Sequence, residues 1–296
     1  MNQNMQEKVV VITGATSGIG QVAAEILART GARIIQVARD RQRGEVALKR
    51  LQACAPGVPH AIYYADLSRL GEMKRVAAEI AGAEPHIDVL INNAGALFGS
   101  RQVTEDGLER TFALNHVAYF VLTLGLRERL VASTPARIVN TASDAHESAK
   151  LDFDDLQSVK AYRSSFWESL RHGGPGFKVY GRSKLCNILF TRELARRLRS
   201  TGVTANCLHP GFVATRFGDQ SGGMISFGVR VAKRFALSPG KGAETLVYLA
   251  SSPEVASLTG KYFYKCRPVT PSKEAQDDMA AQRLWLETAR FAGLPE

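Results

Sequence analysis

The sequence predicts an α/β fold, one doubly wound parallel sheet flanked by helices, and three observations predict it. Short β-branched runs alternate with longer helical patterns. The runs are nearly continuously apolar, as strands covered on both faces must be. The first run ends in a glycine-rich turn that opens a helix, the arrangement of an open parallel sheet with ligands at the carboxyl ends of its strands. In chain order the pattern reads as a strand at Val9–Thr13, a helix at Gly18–Thr30, a strand at Arg33–Ala38 and a helix at Arg41–Ala53. A strand at Ala61–Ala65, a helix at Leu70–Ala81, a strand at Val89–Asn92 and a long helix at Asp106–Ala132 follow. The rest reads as a strand at Arg137–Thr141, a helix at Tyr180–Ser200, a strand at Val203–Leu208 and a last strand at Lys261–Tyr264.

The 296 residues are 45% hydrophobic, enough for one sizeable core, and no repeat, low-complexity tract or linker divides them; residues 1–296 are expected to form a single domain. Two long segments break the rhythm, Ser143–Lys178 and Gly211–Gly240. Both follow strands at the ligand edge, so they are expected to form the walls and lid of a substrate pocket. No run of 18 apolar residues and no secretory signal is present, which predicts no integral membrane segment and a cytoplasmic protein. The four cysteines are scattered, without a CxxC pair, and the six histidines show no ligand spacing; free thiols and no metal are expected. The net charge of +10, part of it at Arg192, Arg196, Arg197 and Arg199, reads as solvated helix surface, with attraction of an anionic cofactor or loose contact with an acidic membrane surface as the functional alternatives. Without aromatic-interleaved basic stretches, it does not point to nucleic acid.

The chemistry starts at Thr13-Gly14-Ala15-Thr16-Ser17-Gly18-Ile19-Gly20. Glycines at this G-x-x-x-G-x-G spacing let the backbone turn tightly against a pyrophosphate, which the free N–H groups of the next helix attract. Gly14, Thr16, Ser17, Gly18, Ile19 and Gly20 are therefore candidate dinucleotide-binding residues. Of the eight tyrosines, Tyr180 alone has a lysine four residues on, Lys184, and residues four apart share a helix face. A free phenol, with a pKa near ~10, is a poor base at neutral pH, and a neighbouring ammonium makes it a better one. Ser143 closes the fifth strand, where its hydroxyl can hold a substrate oxygen while charge develops on it. His146 is left as a residue of the pocket wall.

The glycine spacing, the Tyr180–Lys184 pair and several further motifs together resemble the short-chain dehydrogenase/reductase family, whose fold is of the Rossmann type, and the likeness extends over most of the chain. Asp66-Leu67 is similar to the family's adenine-holding pair, and Asn92-Asn93-Ala94-Gly95 to its NNAG motif, so that Asn93, Ala94 and Gly95 are expected to line the cofactor groove. Pro210-Gly211 resembles the turn beside the nicotinamide. The resemblance implies a catalytic set of Asn115, Ser143, Tyr180 and Lys184, with Asn115 fixing a water that links the lysine to solvent, and the lysine also bonding the nicotinamide ribose. At the end of the second strand Ala38 aligns with the usual acidic position and Arg39 with the basic position that favours the 2′-phosphate of NADP, an interaction worth about 10- to 100-fold in preference. A competing alignment puts Asp40 on the ribose and favours NAD.

The gap between Ser143 and Tyr180 is wider than is usual in the family. Tyr162 is nearer, but Phe166 stands where its lysine should be, so an insertion around Ser164–Gly174, carrying Phe166 and Trp167, is expected to form a flap over the substrate. Tyr180-Gly181-Arg182-Ser183-Lys184-Leu185-Cys186-Asn187, Gly260-Lys261-Tyr262-Phe263 and Arg283-Leu284-Trp285 resemble the retinol dehydrogenase-like branch. That likeness implies NADP(H)-dependent interconversion of a lipophilic aldehyde or ketone with its alcohol. It also allows a homo-oligomer built on the helices that carry Asn115 and Tyr180. A cofactor-binding sensor without turnover is the other reading of the same fold.

Overall fold

The computed structural model describes residues 4–163, 174–211 and 238–295. Among them the strands form one eight-stranded sheet in the order β3-β2-β1-β4-β5-β6-β7-β8. These strands are β1 (Val9–Thr13), β2 (Arg33–Ala38), β3 (Ala61–Tyr64), β4 (Val89–Asn92), β5 (Arg137–Thr141), β6 (Thr204–Leu208), β7 (Tyr262–Tyr264) and β8 (Arg267–Val269). The first seven run parallel and β8 returns antiparallel to β7. The strand order reverses between β1 and β4, which are neighbours, so a crevice opens where β1 and β4 end.

The apolar runs are continuous because both faces of each strand are covered. Val9, Val11, Ile35, Val37 and Leu90 point into one core layer, and Val10, Ile12, Ile34, Val89 and Ile91 into the other. The first layer lies under α3 (Leu70–Ala83), the helical stretch that starts at α4 (Arg110–Phe112), and two long helices nearer the C-terminus. The second lies under α1 (Gly18–Arg29), α2 (Arg41–Cys54) and a later helix. The stretch after α4 continues as a π-helical turn at Ala113–Val117, then α5 (Ala118–Gly125) and α6 (Arg127–Ala132). Next come a short α7 (Val159–Tyr162), the 23-residue α8 (Pro175–Arg197), α9 (Pro239–Ser251) and α10 (Asp278–Ala292).

Most predicted elements stand within a few residues of their expected bounds, and the differences have local causes. The helix expected over Asp106–Ala132 starts later because two acidic residues stop it. Asp106 caps α3 by accepting the Leu70 N–H, 2.9 Å, and the Glu109 carboxylate accepts the N–H groups of Thr111 and Phe112 at 2.9 and 2.8 Å. Helix α8 starts five residues before Tyr180 because Pro175 occupies its first turn, where a missing N–H costs nothing. The eighth strand escapes the sequence pattern. Its hairpin turns on Lys265 and Cys266, both at positive φ, where glycine or asparagine is the usual signal. Of the two long segments, residues 164–173 and 212–237, including the proposed flap with Phe166 and Trp167, lie outside the described residues.

Helix α10 lies along α8. Trp285 stacks on Phe190 at 5.8 Å, meets Phe120 edge-on at 4.8 Å and takes the Arg197 guanidinium over its ring at 4.3 Å. Helix α10 thus covers part of α8, the helix that carries Tyr180. Trp285 is 4% exposed, so truncation leaves a cavity. Trp285→Ala should cost about 3–5 kcal/mol, read as a lower urea midpoint at an unchanged slope.

Candidate active site

The candidate cofactor-binding and catalytic residues described in the structure stand at the carboxyl edge of the sheet or on the helices just beyond it. After β1 the chain turns at Gly14, φ +70°, passes Thr16 and Ser17, and enters α1 through Gly18, Ile19 and Gly20. Two close approaches explain the glycines. A Cβ on Gly14 would lie 2.8 Å from the Ala94 Cα, and a Cβ on Gly20 would lie 2.5 Å from the Gly14 carbonyl oxygen and 2.4 Å from the Asn93 Nδ2. Ser17 precedes α1 in an extended conformation without a side-chain capping bond, and the first turn carries no acidic residue. Its N–H groups and positive dipole end are thereby left for an anion, the property a dinucleotide's pyrophosphate needs.

The turn after β4 locks onto this one. The Thr13 hydroxyl accepts the N–H groups of Asn93 and Ala94 at 3.0 and 2.9 Å. In return the Asn93 side-chain amide donates to the carbonyls of Thr13 and Gly14 at 3.1 and 3.2 Å. Gly95 follows, passing beside Asn115 and Lys184. At the outer end of the edge, Arg39 follows the buried Ala38 and lines an open groove of about 560 Å³ with Arg41, Tyr64 and Asp66. Arg41 lies over the Tyr64 ring at 4.7 Å. Asp40, the competing ribose ligand, caps α2 by accepting the Arg43 N–H at 2.8 Å. The Asp66 carboxylate accepts the N–H and hydroxyl of Ser68 at 3.0 and 2.8 Å. Burial disfavours its charge, but the Ser68 bonds and the Arg39 and Arg110 charges outweigh that and hold its pKa below the ordinary carboxylate value. Leu67 is buried beside it. On the other side of the crevice, Pro210 and Gly211 leave the end of β6 at the last described position before residue 212.

Ser143, Tyr180 and Lys184 converge between the ends of β5 and the first turns of α8. The Ser143 hydroxyl donates to the Asp144 carboxylate at 3.0 Å, accepts the Ala145 N–H at 3.2 Å and shares a hydrogen bond with the Tyr180 phenol. Burial, first, pushes the Tyr180 pKa well above its ordinary value; the Ser143 bond works against that shift and the Asp144 charge adds to it. The Lys184 ammonium donates to the Thr141 carbonyl at 2.9 Å and lies 5.5 Å from the centre of the Tyr180 ring. Burial lowers its pKa to about 7. Tyr162 is held elsewhere, with its hydroxyl donating to the Phe98 carbonyl at 3.3 Å and to Glu109 at 3.4 Å.

Asn115 is wholly buried in the π-helical turn, a distortion that recurs at functional sites. Its side chain accepts the Ala96 N–H at 2.9 Å and donates to the Ala96 carbonyl at 2.9 Å and to the Ser183 hydroxyl at 3.0 Å. It thereby ties the chain after Gly95 to the helix of Tyr180 and Lys184. His146, expected on the pocket wall, is instead fully buried beneath Ser143. Its Nδ1 lies 2.6 Å from the Ser143 carbonyl oxygen, a partner that a lone histidine in the sequence does not announce. Thr13, Thr141 and Asp144 also went unselected, although each borders a motif that was.

With this geometry in place, comparison with known proteins gives the class. The short chain dehydrogenase family model matches residues 8–172 and the enoyl-(acyl carrier protein) reductase model matches residues 162–265. The chain belongs to the short-chain dehydrogenase/reductase family and is an oxidoreductase of the kind that uses a nicotinamide cofactor. Within the family it is similar to the retinol dehydrogenases. It is 41% identical to retinol dehydrogenase 14 of Homo sapiens over 98% of this chain and 88% of that protein. It is 39% identical to retinol dehydrogenase 13 of Homo sapiens over 97% and 85% of the two chains. Among solved structures, an uncharacterised protein from Mycobacterium paratuberculosis superposes with a TM-score of 0.76 at 29% identity, covering 99% of this chain and 96% of the other. A chain from Beutenbergia cavernae, solved with NADP bound at low occupancy, superposes at 0.69 with 26% identity over 88% and 96%.

The buried lysine gives a test that needs no substrate. A Lys184 pKa of about 7 in the folded protein, against about 10.5 unfolded, means that the unfolded chain binds more protons between these values. The contribution of Lys184 to stability is therefore full above the unfolded value and is lost as pH falls towards 7. In ligand-free protein, denaturant titrations from pH 7 to 9 should show wild type gaining stability relative to Lys184→Met. Parallel curves would contradict the burial of a titrating ammonium.

Proposed function

We propose that this protein interconverts a lipophilic aldehyde or ketone with its alcohol, using NADP(H), with Tyr180 as general acid and base. The observation that carries this reading is the convergence of the Ser143 hydroxyl, the Tyr180 phenol and the Lys184 ammonium beside the glycine turn. NADP(H) would supply or take the hydride. The chain's own groups would handle the oxygen and its proton. Ser143 would donate to the substrate oxygen, holding it as charge builds there. In reduction Tyr180 gives the proton to that oxygen; in oxidation it takes the proton from the alcohol. Lys184 stabilises the phenolate that the first of these leaves behind. Asn115 holds the loop after Gly95 against α8 and so keeps the two halves of the site in register.

The cofactor would lie along the switch-point crevice, with the pyrophosphate at Gly14, Thr16, Ser17, Gly18, Ile19 and Gly20. Asp66 and Leu67 would hold the adenine, and Asn93, Ala94, Gly95, Pro210 and Gly211 the nicotinamide half. NADP is preferred to NAD because Arg39 and Arg41 offer charge to a 2′-phosphate while Asp40 is committed to capping α2. A lipophilic substrate is favoured by the apolar cluster of Leu97, Ala145 and Tyr180 and by Phe177, 41% exposed with its ring 6.3 Å from that of Tyr180. The four unpaired cysteines fit a reducing compartment, so a cytoplasmic location is part of the proposal. Among the described residues no helix is long and apolar enough to cross a membrane, and no cluster of potential metal ligands occurs.

Steady-state oxidation of NADPH and NADH with aldehydes from acetaldehyde to decanal, and with benzaldehyde, tests the reaction. Tyr180→Phe should lose about 10²- to 10⁴-fold in kcat, the usual contribution of a positioned acid–base group, while still binding NADPH. Binding with no turnover by wild type would favour a sensor instead. Arg39→Ala should reduce the preference for NADPH over NADH by about 10- to 100-fold, read as the ratio of the two kcat/KM values; an unchanged ratio would remove Arg39 as the selector.

A further inference from the structure

His146 is a fully buried side chain beside Ser143 that the proposed chemistry does not use. It stands one turn after Ser143 in a 3₁₀ helix, Asp144–Ser148, and is 0% exposed. The Ser143 carbonyl accepts twice from it, from the His146 N–H at 3.3 Å and from Nδ1 at 2.6 Å. A carbonyl only accepts, so Nδ1 carries a proton; this assignment follows from the partner rather than from a seen hydrogen. On the far side of the ring, Nε2 faces the Ser272 N–H at 3.2 Å and the Glu147 carboxylate at 3.2 Å. With Nδ1 donating to Ser143, Nε2 accepts the Ser272 N–H, and the ring bridges the two segments. The Tyr262 ring packs edge-on at 5.0 Å with its hydroxyl 3.5 Å from Nδ1, which holds the imidazole in plane.

We propose that His146 is the positioning residue of Ser143, fixing the serine backbone, and with it the hydroxyl, between the end of β5 and the segment that leads into α10. The inference rests on the proposed role of Ser143. Its physical basis is that Ser143 is the last residue before a turn. The ring adds a second bond to the carbonyl that the His146 N–H also holds, and so fixes the serine backbone where its hydroxyl meets Ala145, Asp144 and Tyr180. Ser272 supplies the opposing end of the anchor, so the ring spans from the catalytic edge to the C-terminal segment.

Two polar replacements separate the two ends of the ring. In His146→Asn the side-chain amide falls where Nδ1 was and can donate to the Ser143 carbonyl. In His146→Gln it falls where Nε2 was and can serve only Ser272. With NADPH and the best aldehyde of the panel, His146→Asn should stay within about threefold of wild type. His146→Gln should lose about 10- to 100-fold in kcat, the cost expected for a displaced reacting group. The NADPH Kd, read by fluorescence, should stay unchanged in both. Adding His146→Gln to Ser143→Ala should cause little further loss, because the histidine acts through the serine. Equal activity of the Asn and Gln variants, a wild-type kcat for Gln, or full additivity with Ser143→Ala would overturn the proposal. If Ser143→Ala itself keeps wild-type activity, the catalytic reading of Ser143 fails, and the role of His146 fails with it. If Ser143→Ala is inactive while His146→Gln is not, only the role of His146 fails.

Discussion

The site depends on the clasp between the turns that follow β1 and β4. Asn92 and Asn93 are neighbours on a strand end, so their side chains leave opposite faces of the sheet. Asn93 reaches sideways to the Thr13 and Gly14 carbonyls and leaves no room for a side chain at Gly14 or Gly20. Asn92 reaches the other way and donates to the Asn140 side-chain oxygen Oδ1 at 2.9 Å, and the Asn140 side-chain amide in turn donates to the Thr191 hydroxyl at 3.0 Å on α8. One dipeptide therefore joins the helix N-terminus suited to phosphate to the helix that carries Tyr180 and Lys184. The Asn92 and Asn140 bonds are buried, where an unmet amide would cost about 1–3 kcal/mol, so the relative placement of the two halves is strongly specified.

Burial also sets the resting charge of the pair. It drives the Tyr180 phenol up and the Lys184 ammonium down, so both are pushed towards their neutral forms. A phenol that holds its proton is ready to act as an acid. The same low-dielectric surroundings that penalise the ammonium strengthen its attraction for any negative charge that arrives beside it. In the proposed reaction that charge is the phenolate itself. The Asp144 carboxylate, bonded to Ser143, opposes a phenolate and favours the protonated resting state.

Much of this was legible in the sequence because the chemistry sits on strand ends and at fixed helical spacing. The glycine turn, Asn93-Ala94-Gly95, Ser143, and Tyr180 with Lys184 each occupy the element that the pattern assigned to them. The distortions were not legible. Asn115 was expected on a regular helix and lies in a π-helical turn, which nothing in Leu114-Asn115-His116 signals. The hairpin at Lys265-Cys266 uses residues that seldom mark such turns, so β8 was missed. Helices α9 and α10 went unassigned although each begins with a serine or aspartate cap, Ser238 and Asp277. His146 drew attention only as a residue near Ser143. Its partners, Ser272 and Tyr262, lie more than a hundred residues away in the chain, and contacts of that range leave no local pattern to read.

Direct hydride transfer at this edge is most directly tested by running the reduction with NADPH carrying deuterium at C4 of the nicotinamide and examining the product alcohol by mass spectrometry and NMR. The proposed reaction predicts one deuterium on the carbinol carbon, from one face of the nicotinamide only, and none on the oxygen after exchange into water. Consumption of NADPH with no deuterium on that carbon would contradict a site that joins hydride transfer to proton delivery by Tyr180.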